Sequence, residues 1–389
     1  MKKTSPERSR RIMISAGEVS GDIHGKYLVR ELKKLSPDIY FFGMGSENLL
    51  SEGVDVKFDI SQRGTVGIAE ALPNILPLYL TYHKMVGLMK KEKPDLLVLI
   101  DSQGINMPLA KAAKKLGIKT VYYVAPQEWL WGTPRGVKKV AKTIALIIAI
   151  FEKENEIYKL SGANVAYSGH PLIDIVKPAM SIKETRKQLL GDEKGPVISI
   201  CPGSRTQEIQ GLFPILLKAG KLIKTILPDA KFLIPAASTE IIKKIFNMID
   251  EDFRPKAVVG HTYDILAASD LALCASGTIN LEASILGTPN IMVYKLSPLT
   301  YFIGKHVLKI GEKLPYFSMP NLLLEEKVIP ELVMEEAIPE TIAAEAVLIL
   351  KEPARQEKMR ASFEKLRNKL GSPGVISRCA KAVLDFSAA

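Results

Sequence analysis

Twice along this chain, short apolar runs alternate with longer stretches of helical periodicity, and that alternation constrains the fold more than any other feature. In the first half, Arg11–Ala16, Tyr40–Phe42, Leu96–Ile100, Thr120–Val124 and Ala145–Ile150 read as strands. Helices fit between them at Ile23–Leu35, Ile75–Lys91 and Leu109–Leu116. The second half repeats the scheme with strands at Val197–Cys201, Lys231–Ile234, Ala257–Val259, Leu271–Cys274 and Asn290–Val293. Its helices fit at Gln207–Ile226, Thr239–Ile249, Tyr263–Ala268 and Ile279–Leu286. Such alternation implies βαβ units and parallel sheets. At 389 residues the chain also exceeds one ordinary core. We therefore expect an α/β protein with two Rossmann-like, doubly wound domains facing a cleft, at residues 1–172 and 173–352. Turn residues from Gly169-His170-Pro171-Leu172 through Pro178 join them, and helices at 353–389 pack back on the first domain or on a partner subunit. Ligands of such folds bind at the carboxyl ends of the strands, so strand-end residues carry the search for a site.

The composition excludes several classes. With 47% hydrophobic and 24% charged residues the chain is globular, beyond a short basic arm of Lys2, Lys3, Arg8 and Arg10. Its three cysteines, Cys201, Cys274 and Cys379, are odd in number and widely spaced, which excludes a disulfide framework or a zinc site and fits a reducing compartment. Cys201 and Cys274 fall in strand-like runs and are expected to be buried and inert. No signal peptide is expected, and no stretch reaches the roughly 18 apolar residues of a membrane span. The net charge of +11, with many lysines before residue 145, suits a polyanionic partner, nucleic acid or an acidic membrane face. Any single lysine is equally explained as a solvated helix face.

Four loops carry chemistry. Gly17-Glu18-Val19-Ser20-Gly21-Asp22 follows the first strand, where free amides meet an anion or where Ser20 or Asp22 simply caps the helix. Asp101 ends a strand, placed either as a general base for an attacking hydroxyl or as a loop cap; Asn106 orients an acceptor or shapes the turn. Pro202-Gly203-Ser204-Arg205, followed by Glu208, combines backbone amides with a guanidinium able to grip a diphosphate. Ala275-Ser276-Gly277-Thr278 puts small residues at a helix start, and Glu282 lies one turn in, suited to ribose hydroxyls or to the helix dipole. Two anion loops with an acid between them fit a nucleoside diphosphate held without metal. No histidines pair at i, i+4, so no zinc site is expected, and the arginine and helix dipoles take magnesium's task, so no metal or other cofactor is expected. The segment Ile75–Met89 is apolar nearly all round and flanked by Lys84, Lys90, Lys91 and Lys93, as an interfacial or a buried core helix would be.

Taken in order, these loops resemble the lipid-A-disaccharide synthases, bacterial glycosyltransferases of the GT-B fold (glycosyltransferase family 19). The marks are Ala16-Gly-Glu-Val-Ser-Gly-Asp22, Val66-Gly-Ile-Ala-Glu70, Phe151-Glu152-Lys153-Glu154, Gly169-His170-Pro171, Gly203-Ser-Arg205 with Glu208, Ala275-Ser-Gly-Thr278 with Glu282, and Pro320-Asn-Leu-Leu323. The resemblance implies inverting transfer of 2,3-diacylglucosamine from its UDP derivative to 2,3-diacylglucosamine 1-phosphate, giving a β(1→6) disaccharide 1-phosphate and UDP. It implies Asp101 as base with Glu18 in reserve, and Arg205 on the departing diphosphate. Gly203, Ser204, Glu208, Ser276, Gly277 and Thr278 then cradle the nucleotide, Glu282 holds ribose, and Asn321 orients a hydroxyl or phosphate. Because both substrates carry acyl chains, it also implies contact of residues 75–93 with an anionic membrane surface. A cytoplasmic protein on the inner face of the inner membrane follows, with a homodimer compatible. The chain departs from the family pattern at Gln103-Gly-Ile-Asn106 and at Pro126-Gln-Glu-Trp-Leu-Trp131.

Rival readings are a GT-B enzyme acting on another lipid-linked amino sugar, a UDP-sugar epimerase of the same fold, a nucleic-acid binder, and a non-catalytic lipid-surface protein. An epimerase needs no oily helix at 75–89. A nucleic-acid binder needs a recognisable module or aromatic–basic interleaving, and neither is present. A non-catalytic protein leaves Arg205 and Glu282 without a task.

Overall fold

The computed structural model describes residues 10–59, 75–191, 194–203, 206–236, 238–249, 251–295 and 315–388. They divide into two compact units. Described residues up to 175 join those from 370 onward in the first, and 176–369 form the second.

The first unit holds seven strands: β1 (Arg11–Ala16), β2 (Tyr40–Gly45), β3 (Asp55–Asp59), β4 (Leu96–Ile100), β5 (Lys119–Tyr123), β6 (Leu146–Ala149) and β7 (Val165–Tyr167). All are parallel, in the order β3-β2-β1-β4-β5-β6-β7. The second unit holds β8 (Val197–Cys201), β9 (Lys231–Ala236), β10 (Lys256–Val259), β11 (Leu271–Ala275), β12 (Asn290–Tyr294) and β13 (Glu331–Val333), also parallel, in the order β10-β9-β8-β11-β12-β13. In each sheet the strand order reverses once, between β1 and β4 and between β8 and β11. In folds of this kind ligands bind outside the carboxyl ends of the strands at such a reversal.

Apart from the exposed edge strand β10, the predicted strands form because both sheet faces are covered. Every residue of β4, β8 and β11 is buried, which is why they read as continuous apolar runs. The three strands that the pattern did not announce, β3, β7 and β13, are short or half-exposed. Cys201 and Cys274 are buried, as expected, and stand directly opposite each other on β8 and β11.

Two boundaries differ from expectation with consequence. The helix expected from Ile23 begins at Val19, with Glu18 as N-cap, so Ser20, Gly21 and Asp22 lie in its first turn rather than in a loop. The helix expected from Leu109 begins at Gln103, which places Asn106 inside it. The tail also divides: 353–369 packs with the second unit and 370–388 with the first. There helix Val375–Ala388 lies on helix Val19–Leu35. Its start is held by Asp174, whose carboxylate accepts from the amides of Gly374 (2.7 Å) and Ile376 (2.9 Å).

Candidate active-site residues at two switch points

In the first unit, β1 and β4 lie side by side, with Ala16 opposite Ile100. Asp101 leaves β4 at the reversal of strand order, and both it and Ser102 adopt left-handed backbone, φ +53° and +46°. Non-glycine residues take that conformation only when held there. The Asp101 carbonyl accepts from the Asn106 side-chain amide and from the Tyr122 hydroxyl, each at 2.7 Å. Its carboxylate accepts from the Ser20 hydroxyl at Oδ2 and from the Ser102 amide at Oδ1, each at 2.8 Å. The side chain remains partly exposed. This carboxylate is fixed in place with lone pairs to spare.

The glycines of the first loop serve this approach. A Cβ on Gly17 would stand 2.6 Å from Ser102 Cβ, and one on Gly21 would meet the Ile100 carbonyl at 3.1 Å. Ser20 and Asp22 are not helix caps. Asp22 is buried and turns to Ser46 and the amide of Asn48, bracing the next loop. Glu18 caps the helix through its backbone and is partly exposed. Asn106 is fully buried: its oxygen accepts from the Ser15 hydroxyl (2.6 Å), and its amide donates to the carbonyls of Ser15, Ile100 and Asp101. It ties β1 to β4, with its amide donors all spent on buried carbonyls.

Several buried polar groups surround this end of the sheet. Burial pushes His24 down to about 4, with Asp101 pulling it partly back, so the imidazole is neutral at neutral pH. His170 is pushed to about 3 by burial and by His24. Burial raises Glu154 to about 8, although its carboxyl accepts from the amides of Ile150 and Phe151. Nδ1 of His24, the Tyr123 hydroxyl and Nε1 of Trp129 have no partner among the described residues. The two departures from the family pattern touch each other: Gln103 Nε2 donates to Glu128 Oε1 at 2.6 Å.

In the second unit the corresponding strands are β8 and β11. After β8, Gly203 has φ +101°, and a Cβ there would fall 2.5 Å from the Glu208 carboxylate. Glu208 therefore lies across the loop. Ser204 and Arg205 lie outside the described residues. After β11, Gly277 has φ +145° and open space where a side chain would stand. It precedes helix Thr278–Ile285, whose start has no side-chain cap and no acid in its first turn. Gly277 and Thr278 are exposed and Ser276 half-buried, so these amides are open to an anion. Desolvation raises the Glu282 carboxyl above the usual range, opposed by a hydrogen bond from Thr278. The Thr278 hydroxyl is thus engaged with Glu282.

Asn321 is a correction. It is fully buried; its amide donates to the Ile329 carbonyl (2.9 Å) and Glu331 Oε1 (2.8 Å), and its oxygen accepts from the amides of Val328 and Ile329. All four bonds are internal, so it braces the approach to β13 and orients no ligand.

The helix at Ile75–Glu92 is divided along its length. Leu76 and Tyr79 are 65% and 58% exposed, and Leu78 and Leu80 are exposed beside them, whereas Met85 and Met89 are core. The buried-core reading of this segment thus holds for its second half, and its first half is exposed. Among the described residues no helix is long and apolar enough to cross a membrane, and no cluster of three metal-ligating side chains occurs.

Comparison with known proteins resolves the rivals. Of the solved structures, S. aureus MnaA with UDP has a TM-score of 0.66 at 14% identity, covering 97% of this chain and 96% of that one. A UDP-GlcNAc 2-epimerase from Neisseria meningitidis bound to UDP-GlcNAc scores 0.63 at 15%, covering 97% and 99%. Likeness at that identity shows the fold, two Rossmann-like domains of the GT-B type, and leaves activity open. Sequence relatives are far nearer. The lipid-A-disaccharide synthase of Geobacter metallireducens is 37% identical over 392 residues, 98% of each chain. That of Syntrophus aciditrophicus is 36% identical over 97% of this chain and 98% of its own. A family model described as lipid-A-disaccharide synthetase matches residues 12–384. The chain therefore belongs to the lipid-A-disaccharide synthase family of glycosyltransferases.

Proposed function

We propose that the protein forms the lipid A disaccharide by a single inverting displacement. The 6-hydroxyl of 2,3-diacylglucosamine 1-phosphate attacks the anomeric carbon of UDP-2,3-diacylglucosamine. The bond from that carbon to the phosphate oxygen breaks, and UDP leaves with its electron pair. Asp101 takes the hydroxyl proton. The observation that carries this reading is the fixed, partly exposed Asp101 carboxylate at the switch point of the first sheet. Donor binding belongs to the second unit: the amides of Ser276, Gly277 and Thr278 meet phosphate, Glu282 holds ribose, and Arg205 with the β8 loop offsets the charge of the leaving diphosphate. We assign no metal to the reaction, because a guanidinium and a helix start supply the positive charge.

The acyl chains of both substrates place the reaction at a lipid surface, and the exposed Leu76, Leu78, Tyr79 and Leu80 fit that setting. Helix 75–92 packs on helix Gln103–Lys115, which packs on helix Pro134–Thr143. All three expose lysines: Lys84, Lys90 and Lys91; Lys111, Lys114 and Lys115; Lys138, Lys139 and Lys142. Lys90→Glu with Lys91→Glu is expected to release the protein from anionic vesicles in a sedimentation assay. Unchanged partitioning would remove this surface from the account.

Mass spectrometry of the products formed from the two named substrates, with chelator present, tests the reaction. A disaccharide 1-phosphate plus UDP supports it in full. UDP binding without that product would redirect the acceptor to another lipid-linked amino sugar, and product only with added metal would overturn the metal-free assignment.

A further inference from the structure

We propose that Ser20 is a positioning residue for the transfer reaction, acting through Asp101. A serine at a helix N-cap ordinarily accepts from that helix's own amides. Here the cap is Glu18, and the Ser20 hydroxyl instead donates across to Asp101 Oδ2, 81 residues on in sequence, at 2.8 Å. The Ser102 amide donates to the other oxygen, Oδ1, also at 2.8 Å. With one donor on each oxygen, the carboxylate plane cannot turn about its Cβ–Cγ bond without breaking a charge-assisted hydrogen bond. Each oxygen keeps a second lone pair, and that is where the acceptor hydroxyl binds.

The spacing of the motif follows from this geometry. Gly17 and Gly21 bracket Ser20, and both lie against the Asp101 turn: Gly17 against Ser102 and Ile105, Gly21 against Ile100 and Asp101. Side chains at either position would hold the first helix away from β4 and lift the Ser20 hydroxyl out of reach. The loop that reads as an anion site in the sequence thus aims a base. Titratable groups facing Asp101 are His24, from the same helix as Ser20, and Tyr122, from β5. His24 is neutral, so neither supplies a counter-charge, and the hydroxyl and the amide orient the carboxylate.

The inference rests on Asp101 being the base, and the experiment separates the two ideas. Steady-state kcat and both KM values are measured for wild type, Ser20→Ala, Ser20→Thr, Asp101→Ala and the Ser20→Ala/Asp101→Ala double variant. Ser20→Ala is expected to lower kcat about ten-fold with both KM values within about two-fold. Ser20→Thr, which keeps the hydroxyl, returns kcat to within about three-fold of wild type. Added to Asp101→Ala, Ser20→Ala changes the residual rate by less than about two-fold, since no carboxylate remains to be aimed. An unchanged kcat in Ser20→Ala, a loss that threonine does not restore, or the same ten-fold loss without the Asp101 carboxylate would each overturn the proposal. Near-wild-type turnover in Asp101→Ala would instead remove the base, and the role of Ser20 with it. An inactive Asp101→Ala beside a silent Ser20→Ala removes Ser20 alone.

Discussion

The two switch points are built alike and finished differently. In both, a buried asparagine in the helix after the key strand donates to that strand's last carbonyl: Asn106 to Ile100 at 3.0 Å, Asn280 to Ala275 at 2.7 Å. Around Asp101 the knitting then continues through Ser15, Ser20, Ser102 and Tyr122. After β11 it stops: Asn280 Oδ1 has no partner among the described residues, and Gly277 faces open space. A side chain that must take a proton has to be aimed in advance, and aiming takes hydrogen bonds. Amides that must receive a phosphate have to be left free.

The largest expected break in that comparison comes from removing its shared element. Asn106→Ala removes four hydrogen bonds and is expected to cost about 3 kcal/mol in a denaturant melt, whereas Asn280→Ala costs about 1 kcal/mol. Equal costs would mean that the two ends are equally knitted.

A pH experiment sharpens the contrast. Glu154 is buried in the first unit and raised from 4.5 to about 8. Above pH 4.5 the unfolded chain has released this proton while the native chain keeps it up to about pH 8. Each rise in pH across that window therefore favours unfolding. Between pH 6.5 and 8 the wild type should lose about 2 kcal/mol of stability that Glu154→Gln does not lose. His24 and His170 act in the opposite sense and at lower pH: lowered from 6.5 to about 4 and about 3, they withdraw stability as pH falls below 6.5. A melt series from pH 6.5 upward thus isolates Glu154, and parallel curves for variant and wild type would contradict the assignment.

The smallest effect tests the open end. Gly277→Ala adds a Cβ that meets nothing in the protein but stands where phosphate would approach, at a φ of +145°. UDP affinity should fall about ten-fold by calorimetry, with kcat at saturating donor within about three-fold. Undiminished UDP affinity would move the diphosphate away from this helix start.

Much of this was legible in the sequence, and the illegible part has a physical reason. Nine strands announce themselves because burial forces unbroken apolar runs, and β10, an exposed edge, is legible only from the short run Ala257–Val259. The strands β3, β7 and β13 do not, because half-exposed edges impose no such pattern. Asp101 was visible as a polar residue ending an apolar run. Its partners were not, since nothing in residue order reveals that β1 lies beside β4 and so brings Ser20 to Asp101. The same blindness explains Asn106 and Asn321: a polar side chain near a turn looks equally like a ligand or a brace, and only the buried carbonyls and amides around it decide. Conversely, the helix start at Gly277 and Thr278 was readable, because small residues after a strand are a local feature. The Gln103–Glu128 contact shows how two isolated departures in sequence become one altered surface in space.

The proposed reaction divides the labour: chemistry at the carboxylate of the first unit, nucleotide binding in the second. Measuring kcat and UDP affinity on one preparation of Asp101→Asn tests it most directly. The prediction is a loss of turnover of about a thousand-fold with UDP affinity within about two-fold of wild type. Preserved turnover, or a collapse of UDP binding alongside activity, would contradict it and return Asp101 to the scaffold.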